Sequence, residues 1–137
     1  MSWLLDTNVI SEIRKGPRCN PGVASWWASV ADDEIFLSVL TTGEIRRGIE
    51  SIRRRDRKSA AALERWLRQL VKDYSERLLP IDAEIADQWA RMNVPDPLPV
   101  IDGLLAATAK VHDLILVTRN ARDVERTEIR VLDPFTA

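Results

Sequence analysis

Trp3-Leu4-Leu5-Asp6-Thr7-Asn8 is a short apolar run that stops at an acid and two polar, turn-compatible residues. It reads as a buried strand with Asp6 just past its end. Working outward, a helix is expected from about residue 9 until Gly16-Pro17 stops it, and a second over about 21–30. Residues 35–39 are β-branched and aromatic and read as the next strand. Thr41-Thr42-Gly43-Glu44 opens a helix to about residue 54, and another runs over about 59–75. In the latter, Leu63, Trp66, Leu67, Leu70, Val71 and Tyr74 recur at helical spacing as one apolar stripe.

The alternation continues. Residues 78–81 read as a strand, and Asp82 caps a helix carrying Ile85, Ala86 and Trp89. Pro95, Pro97 and Pro99 mark an extended connection into an alanine-rich helix that ends near His112. Residues 114–117 form a strong buried strand, Asn120 caps a short helix, and 129–132 is a last short strand. Strands alternating with helices imply an α/β fold with a mostly parallel central sheet covered on both faces. Ligands of such sheets bind outside the carboxyl ends of the strands, where strand order reverses.

The chain has 137 residues, 45% hydrophobic and 30% charged, which suits one globular domain over 1–137. The single Cys19 rules out an internal disulfide and suits a reducing cytoplasm. No basic segment precedes a long apolar run, so neither a secretory signal nor a membrane span is expected. The formal net charge is −1, yet the charge is unevenly distributed. Residues 46–58 carry seven Lys or Arg against Glu50 and Asp56, while 82–102 carry five acids against Arg91. Such asymmetry can separate an anion-binding surface from a cation-binding one.

Four carboxylates stand where the sheet-edge rule points: Asp6, Glu44, Asp102 and Asp123. Each alone has an ordinary explanation. Asp6 would cap the first helix, Thr41-x-x-Glu44 matches a capping box, Asp102 complements a helix dipole, and Asn120-x-x-Asp123 resembles a cap. Together they would repel one another unless a hard divalent cation joined them. Mg²⁺ and Mn²⁺ prefer such oxygen donors, and the site would suit in-line phosphoryl chemistry.

Leu4-Leu5-Asp6-Thr7-Asn8-Val9-Ile10-Ser11-Glu12 resembles the opening motif of PIN-domain nucleases, particularly the VapC-type toxins of toxin–antitoxin pairs. Glu44-Ile45-Arg46-Arg47-Gly48-Ile49, Asp102-Gly103-Leu104-Leu105-Ala106-Ala107-Thr108-Ala109, and Val117 through Asp123 resemble the remaining motifs in family order. Gly103 departs from the bulkier residue frequent there. The resemblance implies a three-layer α/β/α domain with the first strand central. It further implies Mg²⁺- or Mn²⁺-dependent cleavage of RNA, with Asp6, Glu44, Asp102 and Asp123 as the acidic cluster. Asp6 and Asp102 would be the main metal ligands. Glu44 would bind metal or orient water, Asp123 would complete a second site, and Thr118 would hold a carboxylate or water. Asn8 and Asn120 are weaker candidates that also suit turns or caps.

Arg46 and Arg47 share a helix with Glu44 and are the best RNA-binding candidates of the basic stretch, whose other reading is a solvated helix junction. The tryptophans are expected in packing, and His112 beside a helix C-terminal dipole. By resemblance, the helix pair over about 42–75 helps build a groove for a VapB-like antitoxin, whose basic side chain would enter the acidic pocket, and a homodimer is expected. Two other functions remain open on the residues: a phosphotransfer protein phosphorylated on Asp6, and a non-catalytic module binding RNA or protein.

Overall fold

The computed structural model describes residues 1–136; Ala137, the last residue of the expected domain, lies outside the described residues. β1 (Trp3–Leu5) leads into α1 (Thr7–Ile13) and α2 (Pro21–Ser29). β2 (Ile35–Ser38) runs without a break into α3 (Val39–Arg53), which pairs with α4 (Arg57–Asp73). β3 (Leu78–Leu79), α5 (Ala83–Met92), α6 (Val100–Val111), β4 (Ile115–Val117), α7 (Ala121–Val124) and β5 (Val131–Leu132) follow.

The strands form one parallel sheet in the order β3-β2-β1-β4-β5. β1 is therefore central, as expected, and strand order reverses beside it. Trp3 pairs with Ile35 on one side and with Ile115 on the other, and Leu5 pairs with Val117. The alternation of strand side chains supplies both faces of the sheet. Leu5, Leu37 and Val117 pack with Val9, Ile45, Ile49, Leu67 and Leu70 of α1, α3 and α4. Leu4 and Leu116 face the other way, onto Leu105, Ala106 and Ala109 of α6. This is the three-layer arrangement.

Local boundaries differ from the sequence reading for identifiable reasons. α1 starts at Thr7, because the Asp6 side chain accepts from the Thr7 N–H. α3 starts at Val39, capped by the buried Ser38 hydroxyl, which accepts from the Leu40 N–H at 3.0 Å. Thr41 is thus inside the helix, so Thr41-x-x-Glu44 is not a capping box. Asp82 does cap α5, through the Ile85 N–H at 2.9 Å. Asn120 precedes α7 without a side-chain capping bond. Val71 lies at the edge of the α4 stripe and is exposed, while Leu67, Leu70 and Tyr74 are buried.

Candidate functional site

The carboxyl ends of β1 and β4 are adjacent, and each delivers a polar side chain at once. Asp6 follows Leu5 and Thr118 follows Val117. The Asp6 N–H donates to the Val117 carbonyl at 2.9 Å, which locks the two strand ends together. The Thr118 hydroxyl then donates to Asp6 Oδ2 at 2.8 Å, and Asp6 Oδ1 accepts from the Thr7 N–H at 2.7 Å. Thr118 Oγ1 in turn accepts from the Asn120 N–H at 3.0 Å. Asn8 stands beside this relay, its Nδ2 at 3.5 Å from Asp6 Oδ2 and its Oδ1 accepting from the Arg119 N–H. Asn8 thus meets both Asp6 and the turn after β4, and the Asn120 amide bonds to Asp102.

Asp6 is only 5% exposed. Burial pushes its carboxyl above the ordinary range; donation from Thr118 and Thr7 opposes the shift, and the Glu44 charge adds to it. Asp102, half-buried in the first turn of α6, is also shifted upward. Burial is the main cause, followed by the charges of Asp6 and Asp123, with the Asn120 amide opposing and Glu44 adding. Asp102 is thus the residue on which the charges of Asp6, Asp123 and Glu44 converge.

Glu44 sits in the second turn of α3 and accepts from the Thr7 hydroxyl at 2.6 Å through Oε1. That bond, across 37 residues, is what places it; no helix-capping role accounts for it. Asp123 is exposed on α7, and its backbone N–H, not its side chain, bonds to Asn120. The cap explanations thus fail for Glu44 and Asp123, hold for Asp6, and leave Asp102 with a helix-dipole role as well.

Thr7 was not singled out from the sequence, although its place next to Asp6 in a strand-to-helix turn was a usable signal. Glu12 was likewise missed. It is buried, accepts from the Asn20 N–H at 2.8 Å and from Lys15 Nζ at 2.9 Å, and ties α1 to the start of α2.

Among the described residues, no three Asp, Glu, His or Cys side chains stand close enough together to hold a metal ion by themselves. The donors are all hard oxygens, carrying negative charges that oppose one another. This set fits an ion such as Mg²⁺, which retains several waters and uses few carboxylates. The opposed charges are the observation that favours a cation here.

Other candidates lie elsewhere. Arg46 reaches Glu64 at 2.6 Å and Glu50 at 3.2 Å, inside an ion-pair network of the α3–α4 hairpin. Arg47 is exposed on the same helix. His112 is the C-cap of α6, at the opposite end from Asp102. Trp3, Trp26 and Trp27 pack on one another and on the core, as expected. Trp89 lies against Gly103, where an added Cβ would meet its ring at 3.2 Å.

Residues 3–129 match the PIN domain family. Toxin FitB of Neisseria gonorrhoeae is 31% identical over an alignment of 137 residues that covers 96% of this chain and 97% of FitB. VapC ribonuclease Y4jK of Sinorhizobium fredii is 26% identical, with 96% of each chain covered. The crystal structure of FitAcB from Neisseria gonorrhoeae superposes with a TM-score of 0.89 at 30% identity, covering 98% of this chain and 99% of that one. Among the described residues, no helix is long and apolar enough to cross a membrane.

Proposed function

The chain belongs to the PIN domain family, and from that premise we propose that it is a metal-dependent endoribonuclease acting as the toxin of a cytoplasmic toxin–antitoxin pair. The observation that carries this reading is the placing of Asp6 by Thr118 and Thr7, and of Glu44 by Thr7, at the carboxyl end of the central strands, with Asp102 within reach of the charges of Asp6, Asp123 and Glu44. The toxin and ribonuclease names of FitB and Y4jK support it.

Asp6 and Asp102 would hold Mg²⁺ or Mn²⁺, with Glu44 and Asp123 flanking them. The bound ion would supply Lewis acidity and an acidified water for in-line attack on an RNA phosphodiester. Thr118 and the Thr7 N–H fix both Asp6 oxygens, so the carboxylate meets the ion without reorganising. Thr7 fixes Glu44 Oε1 and leaves Oε2 to orient water or accept its proton. The anchoring of both Asp6 oxygens suits a ligand better than a phosphate-accepting nucleophile.

The same cluster would attract a basic side chain of a VapB-like antitoxin, which would exclude RNA phosphate by occupying the carboxylates. A homodimer belongs to this reading and is checked by sedimentation.

The purified protein is expected to cut RNA with Mg²⁺ or Mn²⁺ and to stop with EDTA. Cleavage that survives in a folded Asp6→Asn variant sinks the assignment. Acyl-phosphate trapped on Asp6 would favour phosphotransfer instead, and RNA binding without turnover would favour a non-catalytic module.

A further inference from the structure

Arg119 is exposed, and it is the second residue past the carboxyl end of β4, directly after Thr118. Its place is fixed twice. Its backbone N–H donates to Asn8 Oδ1 at 3.2 Å, and the amide nitrogen of that asparagine stands 3.5 Å from Asp6 Oδ2. Its guanidinium lies over the Phe135 ring, 3.9 Å from the ring centre. Phe135 is itself anchored: its side chain packs against the core, and its N–H donates to Asp133 Oδ1 at 2.9 Å. An arginine stacked in this way is pinned through one face and keeps its N–H edge for an anion.

The fold makes little use of this charge. Among the described residues Arg119 forms no salt bridge, whereas Arg46 and Arg53 are tied to Glu50 and Glu64. Glu12 feels the charge, but its carboxylate already accepts from Lys15 and from the Asn20 N–H. Asp6 and Asp102 are shifted upward by burial and by neighbouring acids, so Arg119 stands beside the cluster without neutralising it. Packing on Phe135 alone would require no charge. We propose that Arg119 binds a phosphate of single-stranded RNA next to the one held at the acidic cluster, and that Phe135 is its positioning residue. The proposal rests on the nuclease reading above. A cation at this place offsets the repulsion that the acids impose on the flanking RNA strand.

The test is binding of fluorescein-labelled single-stranded RNA to the full chain in an Asp6→Asn background, where cleavage does not intervene, over a range of KCl concentrations. Arg119→Gln and Arg119→Ala are each expected to weaken binding about tenfold, the scale of one hydrogen bond to a charged group. Each is also expected to flatten the plot of log affinity against log salt by about 0.7, the contribution of one phosphate of a single strand. Arg119→Lys keeps the charge and is expected to keep the slope while losing affinity, because an ammonium does not stack flat. Phe135→Leu is expected to weaken binding about threefold at unchanged slope, the scale of an exposed cation–π contact, and Phe135→Tyr to retain wild-type affinity. Melting temperatures establish that each variant is folded. An unchanged slope in folded Arg119→Gln overturns the phosphate contact, and so does a loss confined to binding of a VapB-like antitoxin. Undiminished affinity in folded Phe135→Leu overturns the positioning role. Wild-type protein that cleaves RNA with Mg²⁺ while the Arg119 slopes stay unchanged overturns this proposal alone; wild-type protein that does not cleave overturns the nuclease reading and this proposal with it.

Discussion

Asp6 is a carboxylate kept at a cost to the fold. Its native pKa is raised, so the folded chain holds that proton more tightly than the unfolded chain does. Its contribution to stability is then fully present below the ordinary carboxylate range and is lost as pH rises through the native value. Asp6→Asn is expected to abolish RNA cleavage yet raise metal-free stability at neutral pH, by on the order of 1 kcal/mol. Thermal melts across pH without divalent ions check this, and the advantage should shrink as pH falls into the carboxylate range. A variant that melts lower than wild type at neutral pH would show that the hydrogen bonds of Asp6 outweigh its burial. Gly103 is a second residue set by contact. Its missing Cβ would meet Trp89 at 3.2 Å and Leu98 at 3.3 Å. Gly103→Ala is expected to cost about 1–3 kcal/mol in denaturant melts by overpacking the α5–α6 contact. The sequence marked Gly103 as a departure; only the packing gives the reason.

At the scale of elements, the order of strands and helices was legible because hydrophobic period and turn residues are local. Boundaries were less so. Val39 and Leu40 prolong the apolar run of β2, and Thr41-x-x-Glu44 imitates a helix start, so α3 reads as beginning two residues late. The buried Ser38 hydroxyl decides otherwise. Ser38→Ala is expected to cost about 1 kcal/mol or more in equilibrium unfolding, as a lost cap in a buried setting; a neutral result would place the start of α3 under the control of packing alone. The α3–α4 hairpin shows the same dependence on partners. Glu64 of α4 engages Arg46 at 2.6 Å and Arg53 at 2.7 Å of α3. A basic run that looked available to RNA is thus partly neutralised within the hairpin.

For the whole molecule, the sheet brings acids from distant parts of the chain within reach of one another's charge. A divalent ion that binds only the folded protein must stabilise it, by about 1.4 kcal/mol when its concentration is tenfold above Kd. Mg²⁺ or Mn²⁺ is expected to raise the melting temperature of the wild type and to lose most of that effect in Asp6→Asn. Equal shifts in both proteins would place the ion elsewhere.

The sequence by itself determined the alternating strands and helices, the acids beside the strand ends and the hard-oxygen chemistry they offer, because each of these is written in short stretches of neighbouring residues. Tertiary structure alone decided which strands flank the central β1, that the carboxylate Thr118 holds is that of Asp6, across 112 residues of chain, and that Thr7 holds Glu44 across 37. These pairings depend on which apolar faces bury one another, and that is settled between elements far apart in the chain.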